Sequence, residues 1–209
     1  MVEPRLPRTP KLIRQQLEVE RRERVPGGQF VTDKFPVLTY GPTRKVDLVA
    51  FRMRLFGLVE KECELTWQQL MALPKTILTA DFHCVTQWSR LENTWEGVKT
   101  QDLVKLAGIR PEAEYVMVHC FGGYTTNLPL EDFLEETSML AYRHDGRELP
   151  ADHGGPLRLV VPHLYGWKSA KWMNGVEFMK DDRPGFWEQR GYHMRGDPWK
   201  EERFWDELM

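Results

Sequence analysis

An α+β fold with mixed β-sheets and short helices is what this sequence predicts. Short apolar runs bounded by glycine and proline alternate with short capped segments, and no regular βαβ period runs through them. Internal repeats and low-complexity stretches are also absent from the sequence. At 209 residues, 41% of them apolar and 29% charged, the chain can bury a large core. We divide it into an N-terminal arm over 1–29 and a main domain over 30–209.

Residues 11–24 can form a short charged helix with Leu12, Ile13, Gln16 and Leu17 on one stripe, ended by Pro26-Gly27-Gly28. Pro36 and Pro42 hold the stretch from Phe30 to Pro42 extended. Phe51, Met53 and Leu55 alternate with Arg52 and Arg54, the period of a half-buried strand. Thr66-Trp67-Gln68-Gln69 has the form of a capping box opening a short helix through Leu70 and Leu73, which Pro74 closes. From Leu78 onward, Leu78, Ala80, Phe82 and Cys84 share one strand face while Thr79, Asp81 and His83 share the other, so Cys84 arrives at a strand end. Thr100 can cap a helix carrying Leu103, Val104 and Leu106, with Gly108 as its stop. Tyr115–Cys120 reads as a strand broken by Gly122-Gly123, and Leu130–Glu136 as a short helix. Met139–Tyr142, Asp145-Gly146 and Glu148-Leu149 form the pattern of a hairpin. Leu157–Val161 and Val176–Met179 complete the expected strands.

A formal charge of -2, with basic residues scattered among acidic ones, gives no reason to expect nucleic acid. Eight tryptophans suit a core or a pocket wall. Three cysteines without a CxxC pair make no disulfide framework and favour a reducing compartment. The first 24 residues lack an apolar h-region, and Arg21-Arg22 is followed by Glu-Arg-Val-Pro-Gly-Gly, unlike a twin-arginine signal. No apolar run approaches the ~20 residues that span a bilayer. The expectation is a cytoplasmic protein with no membrane span.

The chemistry concentrates in two places. Cys84 ends the run Thr79–Cys84, and far downstream His153-Gly154-Gly155-Pro156-Leu157-Arg158 precedes Tyr165-Gly166-Trp167-Lys168-Ser169-Ala170-Lys171-Trp172. A free cysteine on an apolar strand face is ordinarily a small buried hydrophobe. Gly-Gly-Pro before a strand is ordinarily a turn. Against those readings, a thiolate suits a soft metal, and glycines permit close backbone approach. Arg158 suits a bidentate phosphate contact, Lys171 adds a point charge, and backbone amides near Ser169 and Ala170 can complete an anion nest. The dipeptides His83-Cys84 and His119-Cys120 raise zinc, but adjacent strand residues face opposite ways, so each supplies at most one ligand. A Cys84–Cys120 disulfide has little support in a chain without an export signal.

On these residues the chain resembles the molybdenum-pterin domain of the sulfite oxidase family, including bacterial relatives of the periplasmic methionine sulfoxide reductase catalytic subunit. The likeness runs from about Phe30 to the C-terminus and implies that family's molybdopterin-binding fold and a molybdenum-molybdopterin cofactor. In the family a strand ends in the one cysteine ligand to molybdenum, which would be Cys84. The family's His/Asn-Gly-x-Pro-x-Arg and Ser-x-Lys-Trp elements are similar to His153–Arg158 and Ser169–Trp172, so His153, Arg158, Ser169, Ala170 and Lys171 would contact the cofactor. Its active-site tyrosine would be Tyr192, bonding an oxo group or the substrate. Phe30–Val37 resembles the pterin-contacting Phe-Val-Arg-Asn-His-Leu-Pro-Val segment, with Asp33 and Lys34 in place of Asn and His. Cys120 falls near where the family lines the pterin.

The resemblance implies an oxidoreductase performing two-electron oxygen-atom transfer on a small molecule, with an external electron donor or acceptor, since no haem motif or dimerisation segment follows. One departure matters for substrate. Sulfite oxidases follow the ligand cysteine with Ala-Gly-Asn-Arg, whereas Val85-Thr86-Gln87-Trp88-Ser89 stands here and Arg90 comes later. Trp88 is closer to the reductase branch. The alternatives are a sulfoxide or other oxo-compound reductase, or a metal-free interaction module on the same fold.

Overall fold

The computed structural model describes residues 23–205 together with Glu18 and Val19. The expected helix over 11–24 therefore falls largely outside the described residues.

Two mixed sheets form the domain. One is organised around the twelve-residue strand β5 (Trp88–Lys99), which pairs antiparallel with β4 (Thr76–His83) and β8 (Met139–His144). At its first residues β5 also pairs in parallel with β1 (Phe30–Val31). β9 (Arg147–Glu148) and β10 (Arg158–Val160) continue outward from β8. The second sheet runs β3 (Cys63–Thr66), β2 (Arg52–Gly57), β11 (Met173–Met179), β6 (Tyr115–Cys120) and β7 (Thr125–Pro129). Here β2 and β11 are parallel and the other neighbours antiparallel.

The main core lies between the sheets, because each sends one face into it: Met53 and Leu55 from β2, Val98 from β5, Val116 and Val118 from β6, Leu140 from β8 and Val176 from β11. Burial on β2 alternates as its sequence predicts, with Arg52 and Arg54 exposed. A smaller cluster of Phe82, Cys84, Trp88, Trp95, Met139 and Leu149 packs under Phe35 beside the first sheet. It is this aromatic cluster, not the aliphatic core, that surrounds Cys84.

From residue 30 to 205 the short α-helices are α1 (Trp67–Met71), α2 (Thr100–Val104) and α3 (Leu130–Phe133). α1 opens with the predicted capping box: the Gln69 N–H donates to Thr66 Oγ1 at 3.3 Å and the Thr66 N–H to Gln69 Oε1 at 2.9 Å. Thr100 does not cap α2. Lys99 occupies the cap position, and the Thr100 hydroxyl donates instead to the carbonyls of Phe133 and Ser138, tying α2 to the end of α3. α2 ends earlier than predicted, at Val104 with Lys105 as its C-cap, so Leu106 lies outside it; Gly108, at φ +64°, closes the turn that follows, its N–H on Val104 O at 3.0 Å. α3 covers four of the residues expected between Leu130 and Glu136. The β8–β9 hairpin turns on Asp145 and Gly146, both at positive φ.

The clean two-residue alternation expected over Leu78–Cys84 is corrected. It holds to Thr79, then a bulge between Ala80 and Phe82 rotates the strand, and Phe82, His83 and Cys84 are all buried.

Candidate functional site

β4 ends at His83, and the chain turns back at once into β5. In that turn the Cys84 N–H donates to Trp88 O at 2.9 Å and the Gln87 N–H to Cys84 O at 3.0 Å. Segments before β1 and after residue 200 clasp it. Gln29 Nε2 donates to Cys84 O at 3.1 Å, while Arg203 Nη1 donates to Val85 O at 2.7 Å and its Nη2 to Gly27 O at 3.3 Å. The Gly166 N–H donates to His83 O at 2.8 Å, joining the turn to the Tyr165–Trp172 loop. Glycine is required there, since a Cβ on Gly166 would stand 2.5 Å from the Phe82 ring. Cys84 is 7% exposed, with Sγ 3.2 Å from Thr86 Oγ1. Burial raises its pKa and the Thr86 hydrogen bonds oppose the rise.

The thiol opens onto a cavity of about 590 Å³ that also takes in His153, Arg158, Ser169, Ala170, Lys171 and Tyr192. Residues separated by up to 108 positions thus share one wall, the arrangement that a ligand with a soft-metal end and an anionic end needs. The His153 ring stacks on Phe35 at 4.7 Å and 5°. Tyr192 packs edge-on to Trp167 and tilts against Trp187, and burial followed by the nearby Cys84 raises its pKa.

Arg158 is 2% exposed and has no acidic partner. Its guanidinium donates to the carbonyls of Leu159, His153 and Ser169 at 3.3, 2.9 and 2.8 Å. Burial lowers its pKa to about 10, still leaving it charged at neutral pH. Its Cζ also lies 5.8, 5.5 and 5.5 Å from the Phe35, Phe82 and Trp95 rings, and a buried cation held by carbonyls and ring faces beside a cavity has room for an anion. Lys171 Nζ donates to Leu38 O, Thr39 Oγ1 and Asp152 O at 2.9, 2.8 and 2.6 Å. Burial, and then the Arg158 charge, lower its pKa to about 8. An anion bound beside Lys171 raises that pKa, so binding takes up a proton near pH 8. Affinity of the cofactor-free protein for inorganic phosphate should therefore hold at neutral pH and fall as pH passes about 8. Calorimetric titration across that range checks this, and a flat profile removes Lys171 from the anion site.

Some expected contacts are not brought together. Asp33 and Lys34 are exposed and stand off the cavity, where Phe35 and Pro36 take the wall position; the reason is local, since β1 ends at Val31 and Thr32 Oγ1 turns the chain by accepting the Lys34 N–H. Cys120 packs in the main core rather than in the cavity wall, and burial drives its pKa up. The Ser169 and Ala170 amides do not form a free nest: they donate to Gly166 O and Lys168 O. Ser169 Oγ accepts the Val161 N–H at 2.9 Å. Arg90 points away, bonded to Asp145, His144 and Asn93.

Other residues of the site escaped the sequence reading. Trp167 and Trp187 line the cavity, and behind them Lys168 and Glu188 form a salt bridge of 2.6 Å between fully buried side chains. Glu188 Oε1 also accepts from Trp167 Nε1 at 2.8 Å and from Thr126 Oγ1 at 3.2 Å, while Lys168 Nζ reaches Asn127 O, Asn127 Oδ1 and Met194 O. The only signal for Lys168 was its place between two tryptophans in Trp167–Trp172; Glu188 had none.

The donor set fits a molybdenum-pterin group. One thiol faces the cavity, and among the described residues no three His, Cys, Asp or Glu side chains gather as a metal cage, which suits a metal whose other ligands an organic group supplies. His83 Nδ1 is bonded to Ser89 Oγ at 2.8 Å and His119 Nε2 to Glu177 Oε2 at 3.1 Å. All three cysteines are free.

Comparison with known proteins gives the same direction. A family model described as an oxidoreductase molybdopterin binding domain matches residues 40–187. The chain is 51% identical over 185 residues to the uncharacterized oxidoreductase YuiH of Bacillus subtilis, covering 88% of this chain and 93% of the relative. It is 32% identical over 171 residues to the putative protein-methionine-sulfoxide reductase subunit YedZ1 of Azospira oryzae, covering 80% of this chain and 64% of that protein. The solved sulfane dehydrogenase SoxCD of Paracoccus pantotrophus superposes with a TM-score of 0.61 at 25% identity, over 66% of this chain and 40% of that one.

Proposed function

Because the chain belongs to the oxidoreductase molybdopterin-binding domain family, we propose that this sulfite oxidase-like, molybdopterin-dependent oxidoreductase uses Cys84 as its one protein ligand to molybdenum. Its reaction is two-electron oxygen-atom transfer on a small substrate whose reacting oxo group is uncharged, such as a sulfoxide. One observation carries the substrate reading. The wall beside the thiol is aromatic, with Trp88, Trp167 and Tyr192 on it, and Arg90 is committed to Asp145. Arg203 and Lys171, the cations whose charge is felt at Cys84, direct hydrogen bonds to backbone carbonyls. Arg44 and Arg158 also line the cavity but are not among the charges felt at Cys84, so a doubly charged oxyanion such as sulfite would reach the thiol without a dedicated guanidinium, whereas a neutral oxo group needs none. The likeness to a protein-methionine-sulfoxide reductase subunit supports the same choice.

When bound, the molybdenum-pterin supplies the electron and oxygen chemistry. This chain's residues prepare its surroundings. Cys84 must lose a proton that burial otherwise holds on the sulfur, so metal loading is favoured by higher pH. Arg158 and Lys171 neutralise the anionic tail, and His153, stacked on Phe35, borders it. Tyr192 presents its phenolic O–H to the substrate oxygen, and the tryptophans keep water from the reacting group. Main domain 30–209 carries all of these groups. A small-molecule substrate and an external electron donor or acceptor complete the reading. Three free thiols suit a reducing, cytoplasmic setting. Among the described residues no helix is long and apolar enough to cross a membrane.

Protein from a molybdenum-competent host should contain molybdenum, release a fluorescent pterin on oxidation, and reduce a sulfoxide with a reduced dye while leaving sulfite untouched. Rapid sulfite oxidation would reverse the substrate assignment.

A further inference from the structure

Arg44 is a cavity cation that none of these roles uses. It sits on the rim segment that begins at Leu38 and Thr39, where Lys171 Nζ anchors the chain. Farther along, the Tyr40 ring lies 5.0 Å from Phe186 and 5.8 Å from Trp187. The segment is therefore held to both the Lys171 loop and the C-terminal wall. Arg44 itself is half-buried and lines the cavity.

Its guanidinium rests on the backbone of Gly122. A Cβ added to Gly122 would stand 2.6 Å from Arg44 Cζ and 2.7 Å from Nη2, so any side chain there displaces the guanidinium. The φ of +90° at Gly122 favours glycine independently. Gly123 follows at φ +83°, also on the cavity wall, with open space where its Cβ would be. Among the described residues Arg44 makes no hydrogen bond and no ion pair, unlike Arg158, which donates to three carbonyls, and Lys171, which donates to two carbonyls and a hydroxyl. A planar fork of five donors with no acidic partner, on a wall kept open by two glycines, matches an oxyanion.

We propose that Arg44, seated on Gly122, is a second oxyanion-binding site of this cavity, taking a phosphate or carboxylate in a bidentate contact. The identity of that group rests on the functional reading above; the existence of the site does not. Two sources share this chemistry: the tail of the cofactor and an anionic group on the substrate remote from its oxo centre.

The test begins with cofactor-free protein titrated with inorganic pyrophosphate, read by the fluorescence of the tryptophans in the cavity wall. Arg44→Ala should weaken binding by about tenfold or more, and Arg44→Lys by less, since lysine keeps the charge but loses the fork. Thermal melting of both variants confirms that they fold, as expected for a half-exposed position. Equal affinities in Arg44→Ala and the parent overturn the proposal. In loaded enzyme, a several-fold loss of molybdenum and pterin from Arg44→Ala on gel filtration assigns the site to the cofactor. Unchanged cofactor, with KM raised for a carboxylate-bearing sulfoxide but not for dimethyl sulfoxide, assigns it to the substrate. No change in any of these removes Arg44 from the working site. Should the parent protein itself carry no molybdenum and no pterin, the functional reading falls while the pyrophosphate titration still decides Arg44.

Discussion

Replacing Cys84 with serine should abolish turnover while leaving the fold and the anion-holding end of the cavity in place. The substitution removes one soft sulfur and adds no bulk. Its neighbours are set by backbone hydrogen bonds that do not use the side chain: Cys84 N to Trp88 O, and Gln29 Nε2 to Cys84 O. Arg158 and Lys171 are unaffected, so pterin should still bind, more weakly and with less metal. A hard hydroxyl is a poor substitute for thiolate toward a soft metal, and a loss of roughly a thousandfold or more in rate, about 4 kcal/mol of barrier, is expected. Dye-coupled activity, metal content and pterin fluorescence on the same preparation read the three effects separately. Undiminished activity with metal present would take Cys84 out of the mechanism.

The largest stability effect belongs to Lys168→Met. Lys168 and Glu188 have no solvent exposure, and truncating one partner leaves the other charge buried and unpaired, at a cost of about 3–5 kcal/mol. For a chain of this size that is a fall in Tm of roughly 6–20 °C. Burial already pulls the Lys168 pKa down, with Glu188 holding it up, so the pair depends on both members. Glu188→Gln should cost less, because the amide oxygen still accepts from Trp167 and Thr126. The double variant Lys168→Met/Glu188→Gln should recover part of the loss by removing the stranded carboxylate, and the cycle measures the coupling. Activity should fall with stability, since Trp167 hangs on Glu188 directly and Tyr192 packs on Trp167. Additive melting effects in the cycle would show that the two groups are not a pair.

Cys84, Arg158 and Lys171 were legible because each belongs to a local pattern: a strand end, a glycine-proline turn and a Lys-Trp pair. The cavity brings all three to one wall, together with His153 and Tyr192. The capping box at Thr66 and the hairpin at Asp145-Gly146 were legible for the same reason, since their geometry closes within four residues. β5 was not, although it is the longest strand. Its buried Ser89 and Asn93 are polar, satisfied by His83 and by the carbonyls of Ala80 and Arg90, so its apolar period is broken where burial is deepest. A strand with neighbours on both edges loses simple alternation as well. Thr100 misled because a hydroxyl before a helix reads as a cap, whereas tertiary acceptors on Phe133 and Ser138 took it. Glu188 and Arg44 carry no local signature, and Lys168 only its place between two tryptophans; long-range packing decides whether a charge is solvated, paired or left over.

The wall around the thiol draws on residues from Phe35 to Tyr192. During synthesis its first and last contributors leave the ribosome about 10–30 s apart at ~5–20 residues per second. Until then Phe35, Cys84 and Trp88 form half a vessel, and the cofactor has nothing to settle into. The earliest moment for loading is therefore set by the emergence of the segment that carries Trp187 and Tyr192.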